Sequence, residues 1–218
     1  MFRKIILKSY ILMLALFFQT ARGATLNTAD IAVLKPKLNS ERIAYLFGSY
    51  GVEPLNVCES LFPDSRISNL YSLHDGNKVL RTFAIVDFAK QIEPSLQAAH
   101  QEILKGGSIG TTLKNAHWEI HKQPLYVGEI ALTPPLMKLM QEHNNLAAMY
   151  IYELNVKKAA QDSYIPYCRI IEIYSPQYID MPLLKAFNNT TFEAPLKTND
   201  EINQLLSQVK QCLNTLPR

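Results

Sequence analysis

RISNLYSLHDGNKVLRTFAIVDF (66–88) is the stretch on which the fold turns. Two runs rich in β-branched and aromatic residues flank His74-Asp75-Gly76-Asn77. Asp-Gly between such runs marks a tight hairpin, because its central positions need a left-handed backbone that these residues accept with little strain. A hairpin is the seed of an antiparallel sheet, so partners are sought outward from it. LAAMYIYELNV (146–156) and IPYCRIIEIY (165–174) form another such pair around the loop Lys157 to Ser163. If Ile151 faces Ile171, Arg169 lies opposite Glu153 and pairs with it across the strands. HWEIHK (117–122) and LYVGEIAL (125–132) read as a further hairpin turning at Gln123-Pro124.

Helical stretches separate these hairpins. NSERIAYLFG (39–48) opens on the cap residues Asn39 and Ser40 and closes on Gly48. EPSLQAAHQEILK (93–105) places Pro94 in a first turn and Leu96, Ala99, Ile103 and Leu104 at helical spacing. Thr133-Pro134 starts a helix with Leu136, Leu139 and Met140 on one side, and Asn199 caps a last one. In that last helix Ile202, Leu205, Leu206, Val209, Cys212, Leu213 and Leu216 form one apolar stripe. The expected architecture is α+β: about six antiparallel strands built from three hairpins, with helices on one face.

The N-terminus reads as an export signal. Arg3, Lys4 and Lys8 precede the apolar run YILMLALFF (10–18), and Ala21 and Gly23 supply the small residues of a cleavage site. Residues 1–23 are therefore assigned to a signal peptide and 24–218 to a single domain. The apolar run is short of the roughly 18–20 residues a spanning helix needs. The signal holds four of the 22 basic residues and no acids, which leaves 18 against 19 and a net charge near −1. That balance gives no electrostatic case for nucleic acid or a membrane surface. The expected location is secreted or periplasmic, and the expected state a monomer. Cys58, Cys168 and Cys212 are odd in number, so one disulfide with a free thiol and three ordinary thiols both remain open.

Four places invite chemistry. His117, Glu119 and His121 would share one face of a strand, and two imidazoles with a carboxylate can hold zinc or ferrous iron. In the plainer reading Trp118 and Ile120 point inward and those three polar residues face water. Arg81 and Glu172 interrupt otherwise apolar strands, where a charge is costly unless paired or used on a ligand. KGGSIGTTLK (105–114) holds three glycines. Lys105-Gly106-Gly107 reads as a helix end and Ser108 as the next cap, which leaves Gly110 inside a helical turn, where glycine costs about 1 kcal/mol against alanine.

In order and spacing, these pieces resemble the chorismate lyase family, whose fold also appears in ligand-sensing domains of some bacterial transcription regulators. RISNLYSLHDGNKVLRTFAIV (66–86), SIGTTL (108–113) and PYCRIIEIYSP (166–176) carry the likeness, with a weakly matched hairpin and helix between the last two. The resemblance implies that Arg81 holds a ligand carboxylate, that Gly110 lays its backbone against the ligand, and that Glu172 sits near a ring oxygen. Thr111 stands where lyases of the family tend to carry arginine. The implied activity converts chorismate to 4-hydroxybenzoate and pyruvate without metal or organic cofactor. Glu172 and Arg81 would be catalytic, with Arg81, Gly110 and Thr111 binding substrate. The alternative is a non-catalytic exported protein that binds a small aromatic carboxylate, or a protein partner, in the same cavity. The resemblance also points to a bacterial source.

Overall fold

A computed structural model of the chain describes residues 26–159, 162–188 and 200–216. The signal sequence assigned to residues 1–23 and the cap Asn199 lie outside these. The hairpin of residues 66–88 is present: β2 (Arg66–His74) and β3 (Asn77–Phe88) pair antiparallel from Arg66↔Val86 to His74↔Asn77. Asp75 (φ 49°) and Gly76 (φ 78°) both take the left-handed backbone that the turn demands. β3 pairs in turn with β6 (Ile165–Tyr174), β6 with β5 (Leu146–Lys157), and β5 with β4 (Glu119–Ala131). β1 (Gly51–Leu55) adds to the outer side of β2. The fold is α+β, on one six-stranded antiparallel sheet of order β1-β2-β3-β6-β5-β4.

The six strands are not the three hairpins expected. Residues 117–132 do not turn at Gln123-Pro124; they form the single strand β4, with a bulge between Pro124 and Tyr126. β4 lies at the sheet edge, where a proline without an N–H is tolerated, and the bulge absorbs the break in alternation. The sixth strand is the short β1, GVEPL. The β5–β6 register is as read, with Ile151 opposite Ile171 and Glu153 opposite Arg169. Arg169 Nη2 lies 3.8 Å from Glu153 and 2.8 Å from Glu201.

Among the described residues, seven α-helices complete the fold: α1 (Thr28–Leu34), α2 (Asn39–Phe47), α3 (Gln97–Leu104), α4 (Ile109–Asn115), α5 (Pro134–Met140), α6 (Met181–Asn188) and α7 (Asp200–Thr215). The larger helical layer packs Leu34, Ile43, Ile103, Leu113 and Leu184 onto Val86, Tyr150, Tyr152 and Ile170. A smaller layer covers the other face, where Leu136, Met140, Val209 and Leu213 meet Ile85, Ile151 and Ile171. Cys58 and Cys212 form a disulfide that ties the β1–β2 loop to α7, and Cys168 is a free buried thiol. No helix among the described residues is long and apolar enough to cross a membrane.

Candidate functional site

Alternation along β3, β5 and β6 turns Ala84, Val86, Tyr152, Leu154, Ile170 and Glu172 toward the larger helical layer. Between this part of the sheet and the segments Leu38–Ser40 and Ser108–Gly110 lies a cavity of about 70 Å³. Its walls are mostly apolar, and its charges are Arg66, Lys122 and Glu172.

Glu172 is 4% exposed and fully engaged. Asn39 Nδ2 donates to its Oε1 at 2.9 Å, and the Tyr174 hydroxyl donates to its Oε2 at 2.5 Å. Asn39 in turn donates to Thr82 Oγ1 at 3.2 Å and accepts from the Tyr178 hydroxyl at 2.6 Å. A buried carboxylate is tolerable when donors replace the lost water in this way. The sequence marks Asn39 as a helix cap, but its side chain is diverted into this network. Glu41 Oε2 takes over at the helix start by accepting from the Leu38 N–H at 2.6 Å.

Lys122 enters the cavity from β4. Its Nζ lies 4.6 Å from the centroid of the Tyr152 ring. Burial pulls its pKa below the ordinary lysine value; Glu172 offsets this, and Arg42 adds to it. Among the described residues its nitrogen has no hydrogen-bond acceptor and no carboxylate within ion-pair distance. Arg66 is occupied differently. Its Nη1 donates to the carbonyls of Ile103 and Gly107, each at 2.7 Å, and its Nε donates to Ser68 Oγ at 3.0 Å. It thereby fastens the end of α3 and the glycine turn to the sheet, and burial lowers its pKa.

Gly110 and Glu172 share this cavity; Arg81 does not line it. Leu70 pairs with Thr82 and Tyr71 with Leu80, so Arg81 is the extra residue of a bulge. Its guanidinium carbon lies 3.7 Å from the centroid of Phe47, and its Nε donates to Ser72 Oγ at 2.9 Å. Phe47 belongs to the helical layer over Glu172, so both charges lie on the same side of the sheet. Arg81 is nonetheless 7% exposed beneath Phe47 and lies outside the cavity that Glu172 lines. Thr111 is exposed on α4, outside the cavity. A Cβ on Gly110 would come within 2.7 Å of Leu38 Cδ1, so the glycine makes room for a leucine that itself lines the cavity.

The proposed metal set is not assembled. His117 precedes the strand and has a left-handed backbone (φ 59°), which breaks the alternation that would align it with Glu119. Glu119 faces Lys157 at 3.6 Å, and the His121 ring packs on Tyr164. No group of three or more His, Cys, Asp or Glu among the described residues is placed to hold a metal ion.

Lys122, Asn39, Arg66 and Tyr152 are the site residues that sequence reasoning passed over. The signal for Lys122 was available: if Trp118 and Ile120 point inward along a strand, so does residue 122. Asn39 was seen only as a cap, and Arg66 only as a strand start. A scan against protein-family models finds no match for this chain, and a search of curated proteins finds none either.

Proposed function

We propose that this is an exported, non-catalytic protein that binds a small aromatic carboxylate in the cavity between the sheet and α2 and α4. One observation carries the reading: the Lys122 nitrogen enters a mostly apolar cavity with no hydrogen-bond acceptor and no carboxylate within ion-pair distance among the described residues. A ligand carboxylate supplies the missing counter-charge and restores the ammonium that burial disfavours. An aromatic ring rests on Leu70, Val86, Leu154 and Ile170, and a ring hydroxyl donates to Glu172.

Chorismate lyase-like chemistry is the second reading, supported by the shared position of Gly110 and Glu172 in one cavity. It is the weaker of the two. Chorismate carries two carboxylates, whereas Arg81 lies outside the cavity and the Arg66 Nη1 and Nε donors serve protein oxygens. A cavity of about 70 Å³ leaves less room for a ring with an enolpyruvyl arm than for a single ring.

Calorimetric titration with 4-hydroxybenzoate tests the binder. Saturable binding that weakens about tenfold or more in Lys122→Met and survives in Arg81→Met is expected. Binding that survives Lys122→Met but is lost in a folded Arg81→Met overturns it. Incubation with chorismate separates the second reading, since release of pyruvate and 4-hydroxybenzoate would make the protein an enzyme.

A further inference from the structure

We propose that Lys122 is also an amine nucleophile that forms an imine with a small 2-oxo acid in this cavity. The inference rests on the cavity being a ligand site, as above, but requires a covalent chemistry that carboxylate binding does not.

The place of Lys122 in the cavity, set against lysines held in ion pairs, carries it. Lys78 lies 2.6 Å from Glu53, Lys114 lies 3.0 Å from Glu41, and Lys157 lies 3.6 Å from Glu119. Each of these nitrogens lies within ion-pair distance of a carboxylate. Lys122 has no such partner among the described residues, and it lines a mostly apolar cavity. Desolvation there favours the neutral amine, whose lone pair is the nucleophile, over the ammonium, which has none.

The neighbours supply what imine formation needs. The Tyr152 ring lies under the nitrogen, and Glu172 lines the same cavity. A hydroxyl-bearing ring and a carboxylate therefore share the cavity with the reacting nitrogen and can exchange protons with it. The amine lone pair forms a C–N bond to the carbonyl carbon while the π pair moves to oxygen. The two amine protons pass to that oxygen, which leaves as water, and a C=N bond remains. The step consumes one amine and one carbonyl, releases one water, and needs no oxidant or reductant.

Ligand class follows from the walls. Arg66 donates hydrogen bonds to Ser68 and to two carbonyls, with no carboxylate within ion-pair distance among the described residues, so its positive charge is not cancelled locally. That charge favours an anionic carbonyl compound over a neutral aldehyde. A cavity of about 70 Å³ restricts it to few heavy atoms.

The test treats the exported form (residues 24–218) with glyoxylate and cyanoborohydride, which reduces an imine to a stable N-carboxymethyl-lysine. Peptide mapping by mass spectrometry then gives the rate at each lysine. Modification at Lys122 on the order of tenfold faster than at Lys78 and Lys114 is expected, slower with propanal than with glyoxylate, and absent at position 122 in Lys122→Arg. Modification of Lys122 no faster than that of the surface lysines overturns the imine and leaves the carboxylate binder standing. A fast Lys122 adduct in a protein that does not bind 4-hydroxybenzoate removes the binder and leaves the imine standing.

Discussion

At the scale of single residues, Lys122 is a group whose position costs stability in the absence of ligand. An ammonium drawn into a mostly apolar cavity loses hydration, and no carboxylate within ion-pair distance among the described residues compensates it. Lys122→Met should therefore stabilise the unliganded protein by about 1 kcal/mol at neutral pH, read from the midpoint of chemical denaturation. The pH dependence has a definite sign. The folded protein holds this proton less tightly than the unfolded chain, whose lysine titrates near 10.5. Between the lowered folded value and 10.5 the unfolded state binds more protons, so the contribution of Lys122 to stability rises with pH across that window. The advantage of the methionine variant should shrink as pH approaches 10.5, and an advantage independent of pH would show that burial of the charge is not its source. Gly110→Ala makes a second prediction. Alanine gains about 1 kcal/mol of helix propensity, while its Cβ meets Leu38 Cδ1 at 2.7 Å. Leu38 can move only by giving up its place in the cavity wall, so near-neutral stability with weakened ligand binding is expected, measured by denaturation and titration side by side.

At the scale of elements, local chemistry was readable where it was also sufficient. Asp75-Gly76 and the β-rich runs beside it dictate the β2–β3 hairpin without help from distant residues, and the β5–β6 register follows from matching apolar faces. β4 was misread because Pro124 has the local signature of a turn, and only its place at the sheet edge makes proline acceptable there. β1 escaped notice because Gly51, Glu53 and Pro54 argue against a strand that exists by pairing with β2. The bulge at Arg81 is the most consequential case. It interrupts the two-residue alternation along β3, through a shift in register against β2 that a single strand's sequence does not display. Arg66 links such elements. It holds the C-terminal end of α3 through Ile103 and the glycine turn through Gly107. Removing it in Arg66→Met leaves those carbonyls without that donor, at about 1–3 kcal/mol. Faster amide exchange confined to residues 104–110 is the expected signature, whereas uniform loss of protection would place the role of Arg66 elsewhere.

At the scale of the whole molecule, the sheet separates two tasks. The face that carries Glu172 and Lys122 holds the cavity, and the opposite face is closed by α5 and α7. The odd cysteine count left the pairing open because spacing along the chain says nothing of which sulfurs meet. The fold brings Cys58 and Cys212 together across 154 residues. In the chain-entropy model, a loop of that length constrains the unfolded state by about 5 kcal/mol, within the 2–5 kcal/mol that native disulfides commonly contribute. The bond joins α7 to the β1–β2 loop on the side away from the cavity, so it should govern stability without shaping the ligand site. Cys58→Ser with Cys212→Ser is therefore expected to lose about 2–5 kcal/mol in denaturant unfolding while retaining 4-hydroxybenzoate affinity under conditions where it is folded. Cys168 provides an internal control. Burial pushes its thiol well above the usual range, and it lies in the core on the cavity side of the sheet. A thiol reagent should find no reactive sulfur in the native oxidised protein and should reach Cys168 only as the chain unfolds. Loss of ligand affinity in the folded double variant would mean that the two faces are coupled through the sheet, and that α7 helps to set the cavity as well as to close the fold.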